Sequence, residues 1–389
     1  MRNWKQSLSF RATRPMTLLI ALALVLFVGA KTRVNAADTR PGAPQEWEKT
    51  AAAAKKEGRL NLYVGRYGSE PLLDEFRKEF PDIKISSVNG QGSQLATRIL
   101  AEARAGKIIA DIYSGGANTN YNLLYKGKVL DSIKAALILP EVLDRTKWYG
   151  GSHSYADTEG EHIFVYIANP SSSGLYYNTT LVNPKEFKSY WDLLNPRWKG
   201  KIVSQDPAGN GIGPVLVFYY KNPEIGPEFV KRFFGAMDVT YGRDRRQITD
   251  WLASGKFSIC LACREATKAK GQGLPVDEFD TGEWKEGMYI TSGGGSMSLI
   301  KGAPHPNAAR VFINWFLSRK GQTALQKYPD LYGEAPPNSR RIDIPKDDLP
   351  AESKLIKGRK YLDISDAELQ DTAPVLNLLK EVLKSSEAK

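Results

Sequence analysis

Cysteine and histidine are scarce in this 389-residue chain, which has two residues of the first type and three of the second. So few side chains exclude a disulfide-framework scaffold and a multi-metal or zinc-ribbon protein. His153, His162 and His305 are scattered, and nothing places one of them beside a nucleophile and an orienting acid. The chain also lacks the G-x-S-x-G, G-x-x-x-x-G-K-[ST] and H-E-x-x-H motifs. We therefore expect no enzyme, no bound metal and no cofactor.

The two cysteines, Cys260 and Cys263, form a C-x-x-C pair at the end of an apparent strand. Redox pairs of this spacing usually open a helix, where the dipole lowers the thiol pKa. The sequence therefore favours either two small buried residues or one local disulfide over a redox or metal site.

Positive charge exceeds negative charge, with 54 Lys+Arg against 43 Asp+Glu and a formal net charge of +11. Residues 1–36 contain six basic and no acidic side chains, and these flank the apolar run Thr17–Ala30. As a helix this run is about 21 Å long, shorter than the ~30 Å hydrocarbon core of a bilayer. A basic start, a short apolar run and small residues before Ala37 predict a cleaved signal peptide over residues 1–36. An uncleaved signal anchor is the alternative.

Removal of residues 1–36 lowers the formal net charge to +5. The remainder has no arginine-rich arm and no aromatic-basic repeat, so we expect no nucleic-acid partner. Its apolar runs are all shorter than 18 residues. We therefore expect a soluble protein exported to the periplasm.

Strand-like and helix-like segments alternate along the first third of the chain. Leu60–Val64, Ile83–Val88 and Ile108–Tyr113 have the length and apolar character of strands. Glu70–Phe80 and Gln94–Ala105 lie between them, with apolar residues at helical spacing. This order predicts an α/β fold with a mainly parallel sheet covered by helices.

Three loops follow these strands, at 66–69, 90–93 and 114–118. The carboxyl ends of parallel strands meet at one edge of a sheet, where ligands bind and helix N-termini favour anions. The loops are therefore candidate ligand sites, although each of them also has the composition of an ordinary turn.

Several segments resemble the bacterial extracellular solute-binding proteins of ABC importers, in the iron-type (ferric-binding) branch of the type II periplasmic binding fold. They cover roughly residues 58–330 and are Asn61-Leu62-Tyr63 with Tyr67, Arg98 and Glu102 followed by Ala110-Asp111, Trp191–Gly200, Leu252–Gly255, and His305–Ala309 before Arg319–Gln322. The resemblance implies two α/β lobes joined by crossing hinge strands, with a cleft that closes on the solute. Lobe 1 is expected at 44–168 and 290–389, including the C-terminal helices, and lobe 2 at 169–289. The resemblance also implies a monomer that delivers a small-molecule solute to the membrane subunits of an ABC permease.

One departure from this family pattern concerns the ligand. Ferric-binding members have a pair of tyrosines in the second half of the chain, because phenolate oxygens suit a hard cation. This chain has Cys263-Arg264-Glu265-Ala266 at the corresponding place, and a guanidinium would repel a cation. Arg243, Arg245 and Arg246 form a second basic group after a predicted strand, where Asp244 is an expected N-cap. This basic group is either a ligand site or the solvated start of a helix.

We therefore expect a small polar or anionic organic solute, paired with arginine through charge-assisted hydrogen bonds. Ferric iron, with oxygens from Tyr67 and Tyr241, is the first alternative, and an exported enzyme with an unrecognised site is the second. The predicted ligand-binding residues are Tyr67, Ser114 and Gly115 in lobe 1, and Asp206, Asn210, Tyr241, Arg243 and Arg264 in lobe 2.

Overall fold

The structure is a computed structural model that describes residues 42–171, 174–207, 212–263, 265–333 and 336–387. The predicted signal peptide and two predicted site residues, Asn210 and Arg264, lie outside these ranges. Within the ranges, no helix has both the length and the apolar character needed to cross a membrane.

Helices occupy much of the described chain. Their bounds are α1 Ala43–Glu57, α2 Glu70–Glu79, α3 Gly92–Arg104, α4 Ala117–Thr119, α5 Ile133–Ala136, α6 Pro140–Leu143, α7 Gly213–Lys221, α8 Gly226–Ala236, α9 Arg245–Ala253, α10 Ala266–Gly271, α11 Pro306–Leu317, α12 Arg319–Lys327 and α13 Ala373–Glu387. The helix α4 continues as one wider helical segment, Asn120–Tyr125.

The strands are mostly short. Their bounds are β1 Arg59–Val64, β2 Lys84–Asn89, β3 Ile112–Gly115, β4 Leu130–Asp131, β5 Ser154–Tyr155, β6 Phe164–Val165, β7 Asn169–Ser171, β8 Leu175–Asn178, β9 Ile202–Gln205, β10 Thr240–Gly242, β11 Ile259–Leu261, β12 Val276–Glu278, β13 Met288–Thr291, β14 Ser296–Ile300 and β15 Tyr361–Asp363.

The sheet of the first lobe has the order β2-β1-β3-β14-β6-β5, with β4 paired to β14. The strand β1 runs parallel to β2 and to β3, with helices α2 and α3 in the two connections. This arrangement confirms the α/β alternation predicted for the first third of the chain. Beyond β3 the sheet is mixed, because β14 returns from much later in the sequence and pairs antiparallel with β3.

An amphipathic helix, α11, fills the core of this lobe. It begins at Pro306, a residue suited to the first turn because its missing N–H has no intrahelical partner there. Its Phe312 and Trp315 rings pack edge-on against Phe76 of α2, with centroid separations of 5.1 and 5.2 Å. Buried aromatic pairs of this geometry stabilise a core beyond the area that they bury.

The sheet of the second lobe has the order β10-β9-β11-β8-β12. Its strands β10, β9 and β11 are parallel to one another, whereas β8 and β12 are antiparallel to their neighbours. The helix α9 begins at Arg245, and the Asp244 carboxylate accepts from the Arg246 and Gln247 amides at 2.8 and 3.1 Å. The expected N-cap at Asp244 is thereby confirmed.

Two crossing strands connect the lobes. The strand β7 leads from the first sheet into the second, and β13 leads back through residues 292–295 into β14. These two strands pair antiparallel with each other, and β15 adds parallel to β13. The two-lobed α/β architecture with crossing strands is therefore as expected from the resemblance.

The last helix, α13, packs on α8 and α7, which belong to the second lobe. Its Val375 and Leu379 lie in the same hydrophobic core as Phe229 and Phe233 of α8. Residues 290–389 were expected in lobe 1, so this helix differs from that expectation. The helix α13 lies on the second lobe because its apolar face packs against α7 and α8. The exact lobe boundaries stay a prediction.

The cysteine pair forms a disulfide between Cys260 and Cys263. Both residues are buried, and Ala262 between them has a left-handed backbone with a φ of 61°. Of the alternatives left open by the sequence, the structure has the local disulfide.

Candidate functional site

The main candidate site is a cleft of about 900 Å³ between the two sheets. Its walls come from loops of the first lobe, from the crossing strands β7 and β13, from the second lobe and from the segment 351–361. This volume lies within the usual range of small-molecule sites, and contact with both lobes allows a bound solute to hold them together.

The first-lobe wall is formed by the three loops that the sequence placed at the carboxyl ends of parallel strands. Arg66 follows β1, Gly92 and Ser93 begin α3, and Gly115 and Gly116 lie between β3 and α4. Each of the three loops therefore contributes to the cleft.

Gly115 has a steric reason to be glycine. A Cβ at this position would lie 2.3 Å from the hydroxyl and 2.6 Å from the Cζ atom of Tyr113. Tyr113 is fully buried, and its hydroxyl donates to the Gly92 carbonyl at 3.2 Å, so the ring has no room to move away. The glycine leaves the backbone of this loop open to the cleft, so that a solute can approach it closely.

Arg66 brings a cation to the same wall. Its Nε donates to the Asp330 carboxylate at 2.6 Å, and the Asp330 side chain is completely buried. The Tyr332 hydroxyl donates to the Gly65 carbonyl at 3.2 Å, and both residues line the cleft. Asp330 and Tyr332, which are distant in sequence, thus hold the loop after β1 in place.

The second-lobe wall contains acidic and basic side chains close together. Lys270 of α10 lies 2.5 Å from the Asp277 carboxylate, and hydrogen bonding to that carboxylate raises the lysine pKa. Burial raises the pKa of the neighbouring Glu278 carboxyl to about 7, although hydrogen bonding to Tyr176 opposes this effect. The Tyr176 hydroxyl also lies 2.6 Å from Thr267 Oγ1.

The segment 351–361 covers one side of the cleft. Lys354, Arg359 and Tyr361 from this segment line the cavity. The Arg359 guanidinium donates to Asp280 at 2.5 Å and to Glu283 at 3.2 Å, which ties the segment to the second lobe. Opposite charges at this distance fix the position of the segment more than they stabilise the fold, because the acids are exposed.

Tyr67 and Ser114 lie directly behind the first-lobe wall, whereas the predicted site residue Gly115 lines the cleft itself. Tyr67 is only 5% exposed and packs edge-on against Tyr166, to which Ser114 is hydrogen-bonded at 2.8 Å. The Tyr67 hydroxyl would be 3.5 Å from a Cβ on Gly293, a lining residue. Tyr67 therefore packs behind the lining residue Gly293 and does not itself line the cleft.

Asp206, Tyr241 and Arg243 lie together at the carboxyl ends of β9 and β10. The Arg243 Nε donates to Asp206 at 2.8 Å, and the Arg243 side chain is 89% exposed. Burial, with the Asp206 charge, raises the pKa of Tyr241 to about 12, and its hydroxyl points at the Phe234 carbonyl 3.4 Å away. None of the three is among the described residues that line the cleft. A ligand role for them, and for Asn210 and Arg264, stays a prediction.

The sequence reasoning missed the residues of the second-lobe wall and of the covering segment. Glu278, Asp277 and Tyr176 lie on the antiparallel strands β12 and β8, where Glu278 is paired with Tyr176. The sequence analysis selected loops that follow parallel strands, and the antiparallel strands β12 and β8 do not meet that criterion. The one available signal was the run of three acids between residues 277 and 280 beside apolar neighbours.

The oxygen donors in the cleft are carboxylate and phenolic groups. The described residues include no group of three or more His, Cys, Asp or Glu side chains arranged to hold a metal ion. Phenolic oxygens suit hard cations, and the tyrosines that line the cleft are Tyr176, Tyr289, Tyr332 and Tyr361.

The chain is similar to known solute-binding proteins over most of its length. The family model for bacterial extracellular solute-binding proteins matches residues 72–351. Iron uptake protein A1 of Synechocystis sp. is 22% identical over 352 residues, which cover 83% of this chain and 88% of that protein.

Two solved structures show the same fold. The Trichodesmium protein IdiA (FutA), in complex with iron and citrate, superposes with a TM-score of 0.62 at 19% identity, covering 84% of this chain and 99% of that one. The periplasmic binding protein AfuA of Actinobacillus pleuropneumoniae, with fructose-6-phosphate bound, gives a TM-score of 0.52 at 18% identity, covering 85% and 99%. From its fold, its cleft and the match to the family model, the chain belongs to the bacterial extracellular solute-binding proteins and is the solute-binding component of an ABC importer.

Proposed function

We propose that this protein captures a small anionic organic solute in the cleft between its lobes and hands it to a membrane permease. The observation that carries the proposal is the convergence of helix starts on one cavity. Residues in the first turns of α3, α4 and α7 line the cleft, namely Gly92, Ser93, Thr119, Pro214 and Val215. None of the three N-caps, Gln91, Gly116 and Ile212, makes a side-chain capping bond. Pro214 has no backbone N–H, but the other N–H groups of these first turns have no side-chain cap and can donate to an anion, which the helix dipoles also favour.

Cationic side chains in the cleft support the same proposal. Arg66, Lys270, Lys354 and Arg359 are the basic lining residues among those described, against three acidic ones. Because the pKa of Glu278 is about 7, that acid is only partly ionised near neutral pH. Among the described lining residues, positive charges therefore outnumber negative ones, although Arg66 and Arg359 are also paired with Asp330 and Glu283 behind the cleft wall.

Delivery to a permease requires export to the periplasm. The predicted signal peptide at residues 1–36 supports this location. The disulfide between Cys260 and Cys263 supports it as well, because disulfides persist in oxidising compartments such as the periplasm. Proteins of this family deliver their solutes to ABC permeases, and we extend that role to this chain.

Ferric iron is the second candidate solute. The tyrosines of the cleft favour it, since phenolate is a suitable ligand for a trivalent cation. Iron uptake protein A1 and the IdiA (FutA) structure also support it, because the first is named for iron uptake and the second has iron and citrate bound.

Thermal unfolding with single compounds separates the two candidates. Propylphosphonate, succinate and glycerol phosphate should raise the melting temperature if the solute is an organic anion, because a ligand at about 100 times its Kd stabilises by roughly 2.7 kcal/mol. Propanol and glycerol serve as uncharged controls. Ferric citrate should instead produce a visible tyrosinate-to-iron absorption band if iron is the solute, whereas stabilisation alone would not identify iron, because citrate is itself an organic anion. A band with ferric citrate, together with no response to any organic anion, would contradict our proposal.

A further inference from the structure

The two walls of the cleft differ in the charge that they present. The first-lobe wall has Arg66 as its only charged residue among those described, and its remaining polar groups are helix starts and glycine loops. The second-lobe wall contains three acids within four positions, Asp277, Glu278 and Asp280. The first-lobe wall therefore favours a negative group, whereas the second-lobe wall offers carboxylates to a positive group, two of which are already paired with Lys270 and Arg359.

The three acids differ in their surroundings. Asp277 is held by Lys270 at 2.5 Å, and Asp280 is held by Arg359 at 2.5 Å. Glu278 lies between them in sequence, is partly buried, and is hydrogen-bonded by the Tyr176 hydroxyl. When Tyr176 donates to this carboxylate, Thr267 Oγ1 can donate to Tyr176, so that the two hydroxyls form a chain ending on Glu278.

Closure of the cleft on a solute removes water from Glu278. A carboxylate that loses its water becomes costly unless it gains a proton, a cation or further donors. A primary ammonium on the solute supplies both a positive charge and donors, and such charge-assisted bonds are about twice as strong as neutral ones. The groups that set the charge at Glu278 are Lys270 of α10, Tyr176 of β8 and the adjacent Asp277 and Asp280.

We propose that Glu278 selects solutes that carry a protonated amine in addition to their anionic group. The amine bonds to the Glu278 carboxylate, and the anionic group faces the starts of α3 and α4 on the opposite wall. This inference rests on the proposed binding of an organic anion and narrows it to zwitterionic solutes.

Isothermal titration with a matched pair of probes tests the role of Glu278. Propylphosphonate and 3-aminopropylphosphonate differ only in the amine. The wild-type protein should bind the amine-bearing probe at least about tenfold more tightly, which corresponds to ~1.4 kcal/mol. Glu278→Gln keeps the size of the side chain and removes its charge, so the ratio of the two affinities should fall to about one. The variant should still bind propylphosphonate, at least as tightly as the wild type because a negative charge has left the cleft, and this binding shows that the variant is folded.

Glu283→Gln is the control variant, because it removes a charge from the same lobe at an exposed residue that does not line the described cleft. It should keep the wild-type preference. A preference that survives in Glu278→Gln, or that is absent from the wild type, would overturn the role of Glu278 while propylphosphonate binding still supports the organic-anion function. Binding of neither probe by the wild type would contradict both proposals.

Discussion

At the scale of single residues, Glu278 shows how burial and neighbouring charge act on one carboxyl group. Desolvation on the cleft wall is the largest influence on its pKa and raises it, Tyr176 and Lys270 lower the pKa, and Asp277 and Asp280 raise it. The same side chain is therefore uncharged or charged depending on small changes in its surroundings. A residue with this property is suited to respond to a charged solute.

The pKa of Glu278 also predicts how stability depends on pH. The carboxyl has a pKa of about 7 in the folded protein against a reference value of 4.5, so the folded state binds more protons between these two pH values. Unfolding releases those protons, and the free energy of unfolding therefore falls as the pH rises through this window. Glu278→Gln lacks this contribution. Its stability relative to the wild type should rise by on the order of 1–3 kcal/mol from pH 5 to pH 8.

Urea unfolding of both proteins at the two pH values measures this difference. Glu283→Gln should follow the wild type at both pH values, because its side chain is exposed. A difference between wild type and Glu278→Gln that is the same at pH 5 and pH 8 would show that the carboxyl is not perturbed in the folded protein.

At the scale of elements, the disulfide connects the end of β11 to the cleft. Cys260 belongs to β11 and Cys263 follows it, while Ala262 lines the cavity with a left-handed backbone. Such a backbone costs a residue with a Cβ roughly 1–2 kcal/mol. The covalent link holds the loop in this conformation against the neighbouring Gly174, whose added Cβ would lie 3.4 Å from the Ala262 Cα.

Removal of the disulfide should therefore destabilise the second lobe. Because the closed loop is short, we expect the Cys260→Ala/Cys263→Ala double variant to lose roughly 1–2 kcal/mol of unfolding free energy. Dithiothreitol should lower the urea midpoint of the wild type to that of the double variant, and it should leave the double variant unchanged. If the wild type unfolds at the same urea concentration after both thiols are shown to be free, the link does not stabilise the fold.

The local elements of the first lobe were predictable, and the reason is periodicity. The strands β1, β2 and β3 are short segments separated by amphipathic helices, and this alternation is visible in the local sequence without any long-range contact. The insertion of β14 was not predictable in the same way. Its Ser296 hydroxyl donates to the Gly115 carbonyl, 181 positions away in sequence. Nothing in the local sequence of either residue specifies that partner.

The candidate site was predictable where it follows parallel strands. Gly115 and the two other loops of the first lobe line the cleft because the carboxyl ends of β1 and β3 open onto it. The opposite wall depends on β12, an edge strand that pairs with β8 from about 100 positions earlier. Arg243, in contrast, satisfies the same loop rule but pairs with Asp206 outside the described lining. The rule about loops after parallel strands therefore identified the first-lobe wall of the cleft better than the second-lobe wall.

At the scale of the whole molecule, the cleft separates two lobes that are connected by β7, by β13 and by the chain that runs from α12 through β15 to α13. The register of β7 and β13 places Ile290 opposite Pro170, whose ring has no N–H to donate to the ladder. A connection of a few residues per strand gives the lobes freedom to rotate about it, as in hinge closure around a ligand. The solute then contributes contacts that exist only when both walls approach it.

This arrangement predicts that a bound solute makes the molecule more compact. Small-angle X-ray scattering should show a smaller radius of gyration when a compound that raises the melting temperature is present at about 100 times its Kd, where roughly 99% of the protein is bound. The closed form is favoured only by the difference in its affinity for the solute, so a compound without a thermal effect should leave the scattering unchanged. Propanol provides that control. An unchanged radius of gyration with a saturating, stabilising compound would mean that the lobes are already closed in the free protein, with the solute entering a preformed site.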